Sequence, residues 1–174
     1  MNMIKKCLFP VAGYGTRFLP VTKAIPKEML PILTKPLIQY GVEEAMSAGM
    51  STMTMVTSKY KQAIKNHFEP NTDIEASIKG TAKASLLDEV NYASEQCEFT
   101  YIEQQQMLGL GHAIFTGKPL IGNEPFAVIL PDDLCTNSTD SVLMQMTKLY
   151  AQHPDCCIVA IEEVPMVDVD KYGV

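Results

Sequence analysis

Three groups of residues have the types and spacing to do chemistry. The first is Gly13-Tyr14-Gly15-Thr16-Arg17, with Lys23 and Lys27 beyond it and no acidic side chain between Met1 and Glu28. Arg17 offers a rigid fork of donors for phosphate oxygens, and Lys27 offers a point charge. Gly13 and Gly15 permit positive φ and close approach of the backbone to a ligand. The second is Asp132-Asp133, at the end of an apolar run. Hard carboxylate oxygens suit Mg²⁺, which also holds phosphate oxygens and water. Neighbouring side chains on a strand point to opposite faces, so only one of these two carboxylates is expected at the metal. The other is left as a cap or a partner behind it. The third is Gln104 through Gly111, polar and then glycine-rich, where Gln104 has both the donor and the acceptor to pair with the edge of a polar planar group.

The glycine loop fits neither of the two commonest phosphate fingerprints. A dinucleotide motif needs a third glycine where Phe18 stands, and a Walker loop needs Gly-Lys-Ser/Thr. Pro20 and Pro26 also disfavour a helix running on from the turn, which predicts a long extended loop wrapped over its ligand.

The elements that must position these groups alternate in type. Strands are predicted over Cys7–Ala12, Thr52–Thr57, Phe99–Glu103, Pro125–Leu130 and Cys156–Ile161. Helices are predicted from Pro36, as first helical residue, to a stop at Gly49, then over Lys59–Phe68, Ala84–Ser94, His112–Gly117, and from a cap at Thr139–Ser141 to Gln152. Leu86, Leu87 and Val90 are expected to form the buried face of the Ala84–Ser94 helix. Strand–helix alternation predicts an α/β fold with a mostly parallel sheet, and ligands in such sheets sit beyond the carboxyl ends of the strands. All three chemical groups leave those ends. A phosphate, a planar polar group and a metal are therefore expected on one rim.

Composition limits the alternatives. The chain has 174 residues, 47% hydrophobic and 20% charged, with a formal net charge of -6. That is the profile of an ordinary globular domain, large enough for its own core. Net negative charge disfavours nucleic acid or an acidic membrane as the main partner. The five cysteines form no C-x-x-C pair, and no run approaches the ~20 apolar residues of a membrane span. Reduced thiols in the cytoplasm fit this usage best. Residues 1–174 are read as one domain.

Gly13-Tyr-Gly-Thr-Arg17, Pro20, Thr22-Lys23 and Pro26-Lys-Glu-Met-Leu-Pro31 resemble the signature of sugar-phosphate nucleotidyltransferases. Lys35-Pro-Leu-Ile-Gln-Tyr40, Gly109-Leu-Gly-His-Ala113, Leu130-Pro-Asp-Asp133 and Lys171-Tyr-Gly-Val174 are similar to motifs of the bacterial UTP-glucose-1-phosphate uridylyltransferases. The resemblance implies a three-layer Rossmann-like fold and Mg²⁺-assisted transfer of a uridylyl group from UTP to glucose-1-phosphate. It implies phosphate contacts at Arg17 and Lys27 and nucleotide contacts at Ala12, Gly13, Gly15, Thr16, Gln104 and Gly109. It further implies a sugar contact at Gly173, a metal ligand at Asp132, and a homo-oligomer at full length. Glu103 and Leu108 depart from the family, which is usually basic at both positions, so no extra phosphate grip is carried over there. Family members continue beyond residue 174, and a truncated, poorly active chain is expected. A noncatalytic nucleotide-binding module, or a transferase for another base or sugar, remains the alternative.

Overall fold

A computed structural model of the chain describes residues 3–135 and 139–171. The first strand, β1 (Lys6–Pro10), has Cys7, Leu8 and Phe9 all fully buried, so it must be covered on both faces. After it come β2 (Pro31–Ile32) and β3 (Lys35–Pro36), a small antiparallel hairpin, then α1 (Leu37–Ser47) and β4 (Thr52–Thr57). The chain continues through α2 (Gln62–Phe68), α3 (Thr72–Ile78), α4 (Ser85–Gln96) and β5 (Glu98–Glu103). It then forms α5 (Leu110–Thr116), α6 (Lys118–Ile121), β6 (Phe126–Val128), α7 (Val142–Gln152) and a 3-10 segment, Met166–Lys171.

The main sheet is wholly parallel, in the order β5-β4-β1-β6. Leu8 sits opposite Thr54 on one side and Val128 on the other. Alternation along the strands sorts the core into two layers. Cys7, Phe9, Met53 and Met55 face Ile38 and Val42 of α1, Ile64 and Phe68 of α2, Ala93 of α4 and Leu143 of α7. Leu8 and Val56 face Ala113 of α5 and Ile121 of α6. Helices thus cover both faces, the three-layer arrangement expected for a parallel sheet.

Several predicted elements shift. Cys156–Ile161 is not a strand: Cys156 closes a turn by donating its backbone N–H to His153, and Val159 and Ile161 are largely exposed. An apolar run becomes a strand only by pairing, and here Ile158 and Val159 face β6 residues Phe126–Val128 across a groove. The loop after β1 is not one extended ribbon but three single 3-10 turns, Thr16–Phe18, Val21–Lys23 and Lys27–Met29. Pro20 and Pro26 cause this: each blocks a longer helix, yet its fixed φ suits a turn, and its carbonyl accepts from the third residue on, Lys23 or Met29. Pro36 is the extended cap before α1 and not its first residue. Gly49, at φ 86°, does stop that helix. Leu86 is exposed, the side chains of Leu87 and Val90 lie outside those described, and α3 was not anticipated from the sequence.

Helix α2 packs toward α1 through His67, whose Nε2 lies 3.1 Å from Gln39 Oε1. Burial pushes the His67 imidazole below its usual value. The unfolded chain therefore takes up a proton that the folded one resists, and stability falls as pH drops through about 6.5. His67→Gln is expected to flatten that fall in urea titrations across the range. Packing of α5 on β1 is tight at Gly117, where a Cβ would come within 2.3 Å of Leu8 Cδ1. Gly117→Ala should cost about 1–3 kcal/mol by overpacking. Gly111→Ala, in open space on the same helix, should cost nothing in the same urea melts.

Candidate functional site

Winding reverses at β1: β4 and β5 lie on one side of it and β6 on the other. Such a switch point opens a crevice at the carboxyl ends of the strands. The loop after β1 and the turn after β6 leave at that crevice, and they meet. Lys27 Nζ donates to Asp132 Oδ2 at 2.5 Å, and Arg17 Nη2 lies 4.0 Å from the same oxygen. The Lys27 side chain is 18% exposed and that of Arg17 is 81% exposed. Lys27 is therefore held, while Arg17 stands in solvent, where a pair at that distance contributes little.

Local structure explains both placements. Gly15 adopts φ 66°, a left-handed conformation costly for other residues, and its carbonyl accepts from Thr22 Oγ1 at 2.7 Å. A Cβ on Gly15 would lie 3.2 Å from Lys27 Cβ and 3.2 Å from Thr22 Cγ2. The missing side chain at Gly15 is what lets the Lys27 stem lie across the loop. Gly13 behaves differently. It is exposed, does not take positive φ, and a Cβ there would meet nothing within 4 Å. Its backbone freedom is unused, and what it leaves open is space. Ala12 beside it is buried, and Thr16 is exposed in the first 3-10 turn.

The neighbour of Lys27 was missed from the sequence. Glu28 is fully buried, and its Oε2 accepts from Lys61 Nζ at 2.6 Å. Lys61 is itself buried and forms the cap residue before α2. Burial pushes the Glu28 carboxyl up against the opposing pull of Lys61, and the same burial pushes the Lys61 ammonium down. One available signal was that Glu28 is the first acid in a cationic stretch.

At the end of β5, Gln104 is buried and its backbone N–H donates to Thr57. Its Nε2 lies 2.8 Å from His112 Nδ1 and donates to Gly109 O at 3.4 Å. The side chain expected to read a base is thus anchored to its own loop, and His112 is the hydrogen-bonding support that fixes it. Gly109, at φ 93°, makes the turn into α5 that no β-carbon residue would take readily. Asp133 departs from Asp132 as anticipated. Its N–H closes a turn onto Leu130, and it lines a groove with Cys135 and Val142 on the far side of β6. Gly173 lies outside the described residues.

Among the described residues no cluster of three or more His, Cys, Asp or Glu forms a metal cage. A single carboxylate, Asp132, nevertheless fits a hard divalent ion that draws its remaining ligands from phosphate oxygens and water. No helix among the described residues is long and apolar enough to cross a membrane.

The sequence matches the family described as nucleotidyl transferase over residues 10–174. A UTP–glucose-1-phosphate uridylyltransferase of Pseudomonas aeruginosa is 57% identical over 173 residues, 99% of this chain and 62% of that protein. The crystal structure of apo UDP-glucose pyrophosphorylase superposes with a TM-score of 0.92 at 60% identity, covering 99% of this chain and 63% of that one. A UDP-glucose pyrophosphorylase complexed with UDP-glucose gives 0.85 at 57% identity, over 99% and 62%. The chain therefore spans 62–63% of the length of these relatives.

The contrast between the two glycines is measurable in the free protein. Gly15→Ala should lose about 1–2 kcal/mol, from the left-handed backbone and the contact with Lys27. Gly13→Ala should stay within about 0.5 kcal/mol of wild type in denaturant melts. Equal losses would contradict the packing assigned to Gly15.

Proposed function

The chain belongs to the nucleotidyl transferase family, and from that premise we propose that its site transfers a uridylyl group from UTP to glucose-1-phosphate. A phosphate oxygen of the sugar-1-phosphate bonds to the α-phosphorus of UTP, the bond from that phosphorus to the β-phosphate oxygen breaks, and pyrophosphate leaves. UDP-glucose is the other product.

One observation carries the reading: the cationic loop after β1 meets a strand-end carboxylate after β6, with Lys27 Nζ 2.5 Å from Asp132 Oδ2. Phosphoryl transfer asks a protein mainly for positioning and charge neutralisation. Arg17, exposed and lightly held, is free to close its fork on an incoming triphosphate. Lys27 adds a second positive charge from a fixed stem. Asp132 is the residue suited to hold Mg²⁺, which when bound neutralises triphosphate charge. Lys27 and Asp132 pair with each other in the free protein, and each gains a new partner when a triphosphate arrives with its metal. No unpaired buried charge is left in either state, which keeps the exchange inexpensive.

Around the base, the exposed backbone at Gly13, beside buried Ala12, and the anchored Gln104–Gly109 loop supply a polar wall. Thr16 and Gly15 line the phosphate side, and Gly173 is assigned to the sugar. The Pseudomonas aeruginosa relative is named for UTP and glucose-1-phosphate, and a 57% identical structure holds UDP-glucose. Both support the choice of base and sugar.

Pyrophosphate release from each nucleoside triphosphate with each sugar-1-phosphate tests the reading directly. UTP with glucose-1-phosphate is expected to exceed every other pairing, and release favouring another pairing would overturn the choice of substrates. Arg17→Ala should lower kcat/KM about 100-fold, on the order of 3 kcal/mol of transition-state stabilisation. Near-normal turnover would remove Arg17 from the chemistry. Gly13→Ala, folded as wild type, should bind UTP about tenfold more weakly in calorimetric titrations, because its methyl fills the space left for the nucleotide.

A further inference from the structure

Lys27 and Glu28 are adjacent in one 3-10 turn, and they bond in opposite senses to loops on opposite sides of β1. Lys27 reaches Asp132 after β6, and Glu28 reaches Lys61 after β4. Three residues per turn rotate successive side chains by about 120°. One residue of the turn therefore faces the crevice while the next faces the core. Glu28 is fully buried and Lys61 nearly so, whereas Lys27 and Asp132 keep 18% and 27% of their side-chain surface. The two pairs differ in what can happen to them. A partly exposed pair can be exchanged for phosphate oxygens and a metal. A buried pair cannot be exchanged without leaving an uncompensated charge in the interior.

We propose that Glu28 and Lys61 are positioning residues: their buried ion pair fixes the Lys27–Met29 turn against α2, so that Lys27 stays aimed at Asp132 and remains so when ligand replaces that contact. The inference deepens the reading of the site as a triphosphate site and rests on it for its functional meaning. The backbone around the pair is consistent with a clamp. Lys61 donates its N–H to Ser58 and accepts from Ile64, fixing it at the start of α2. On the other side, Met29 donates to Pro26 and Leu30 donates to Lys27. Leu37, at the start of α1, donates in turn to Leu30. The turn is thereby tied to the β4–α2 loop by a side-chain pair and to α1 by the backbone. The only side-chain hydrogen bond described for Lys27 is the one to Asp132.

A ligand-free readout tests the clamp. The rate at which an amine-reactive reagent labels Lys27 is measured by peptide mass spectrometry against exposed Lys83 as internal reference. Wild type, Asp132→Asn, Lys61→Met and the double variant Glu28→Gln with Lys61→Met are compared. The double variant removes both buried charges together and so leaves no unpaired ion in the core, and circular dichroism checks that it folds. Asp132→Asn sets the rate for a released Lys27. Lys27 in the double variant should label about fivefold faster than in wild type, the scale of losing one partly exposed ion pair. A ratio within about twofold of wild type would overturn the positioning role. Titration of UTP with Mg²⁺ into the same proteins separates the two levels of inference. Failure of wild type to bind UTP while Lys27 labelling responds would discard the triphosphate reading and leave the clamp standing. UTP binding with unchanged labelling in the double variant would do the reverse.

Discussion

The constraint behind the rest of the structure is that β1 is a central strand at the point where the sheet changes direction. Because β4 pairs with one edge of β1 and β6 with the other, the loop leaving β1 has a neighbouring loop on each side. Without that reversal, the Lys27–Met29 turn would have a partner loop on one side only, and Lys27 and Glu28 could not reach Asp132 and Lys61 on opposite sides of β1. Burial of Cys7, Leu8 and Phe9 on alternating faces enforces the central placement, since an edge position would leave one ladder unpaired and both faces harder to cover.

From this follows a division between a rigid half of the loop and an exchangeable half. The charges that face the core are neutralised in place, Glu28 by Lys61, because an isolated ion there would be strongly unfavourable. The charges that face the crevice are partly exposed, with Lys27 held on Asp132 and Arg17 standing in solvent near the same oxygen. A protein that must accept a highly charged ligand benefits from this arrangement. Its own ion pair near the crevice approximates the charge distribution that the proposed triphosphate and metal would impose, so little reorganisation would be required. The β5 loop follows the same logic with neutral groups, Gln104 being fixed by His112 so that its loop is shaped in advance.

Fold and site were legible to different degrees. The strand Thr52–Thr57 and the helix caps at Gly49 and Ser141 were readable, because β-branched alternation, a positive-φ glycine and a serine cap act locally. The stretch Cys156–Ile161 was misread as a strand because its apolar composition is local while strand pairing is not. The loop after β1 was misread as extended because the two prolines argue against a helix without saying what replaces it. Glu28 was read as part of a motif but not as a buried acid, since nothing in its immediate neighbours announces Lys61.

The amino-acid order alone determined the inventory: a glycine-interrupted cationic segment after the first strand, a glutamine-glycine loop, a strand-end carboxylate, and an alternation of elements that calls for a parallel sheet. These are properties of residue type and short spacing, which sequence carries directly. Only the tertiary structure decided who meets whom. That Asp132 pairs with Lys27 and not Asp133, that Gln104 is tied down by His112, and that Lys61 neutralises Glu28 are contacts across 105, 8 and 33 positions of chain. Such contacts depend on strand order and on which side of a turn reaches solvent, and both are settled by packing the whole core at once.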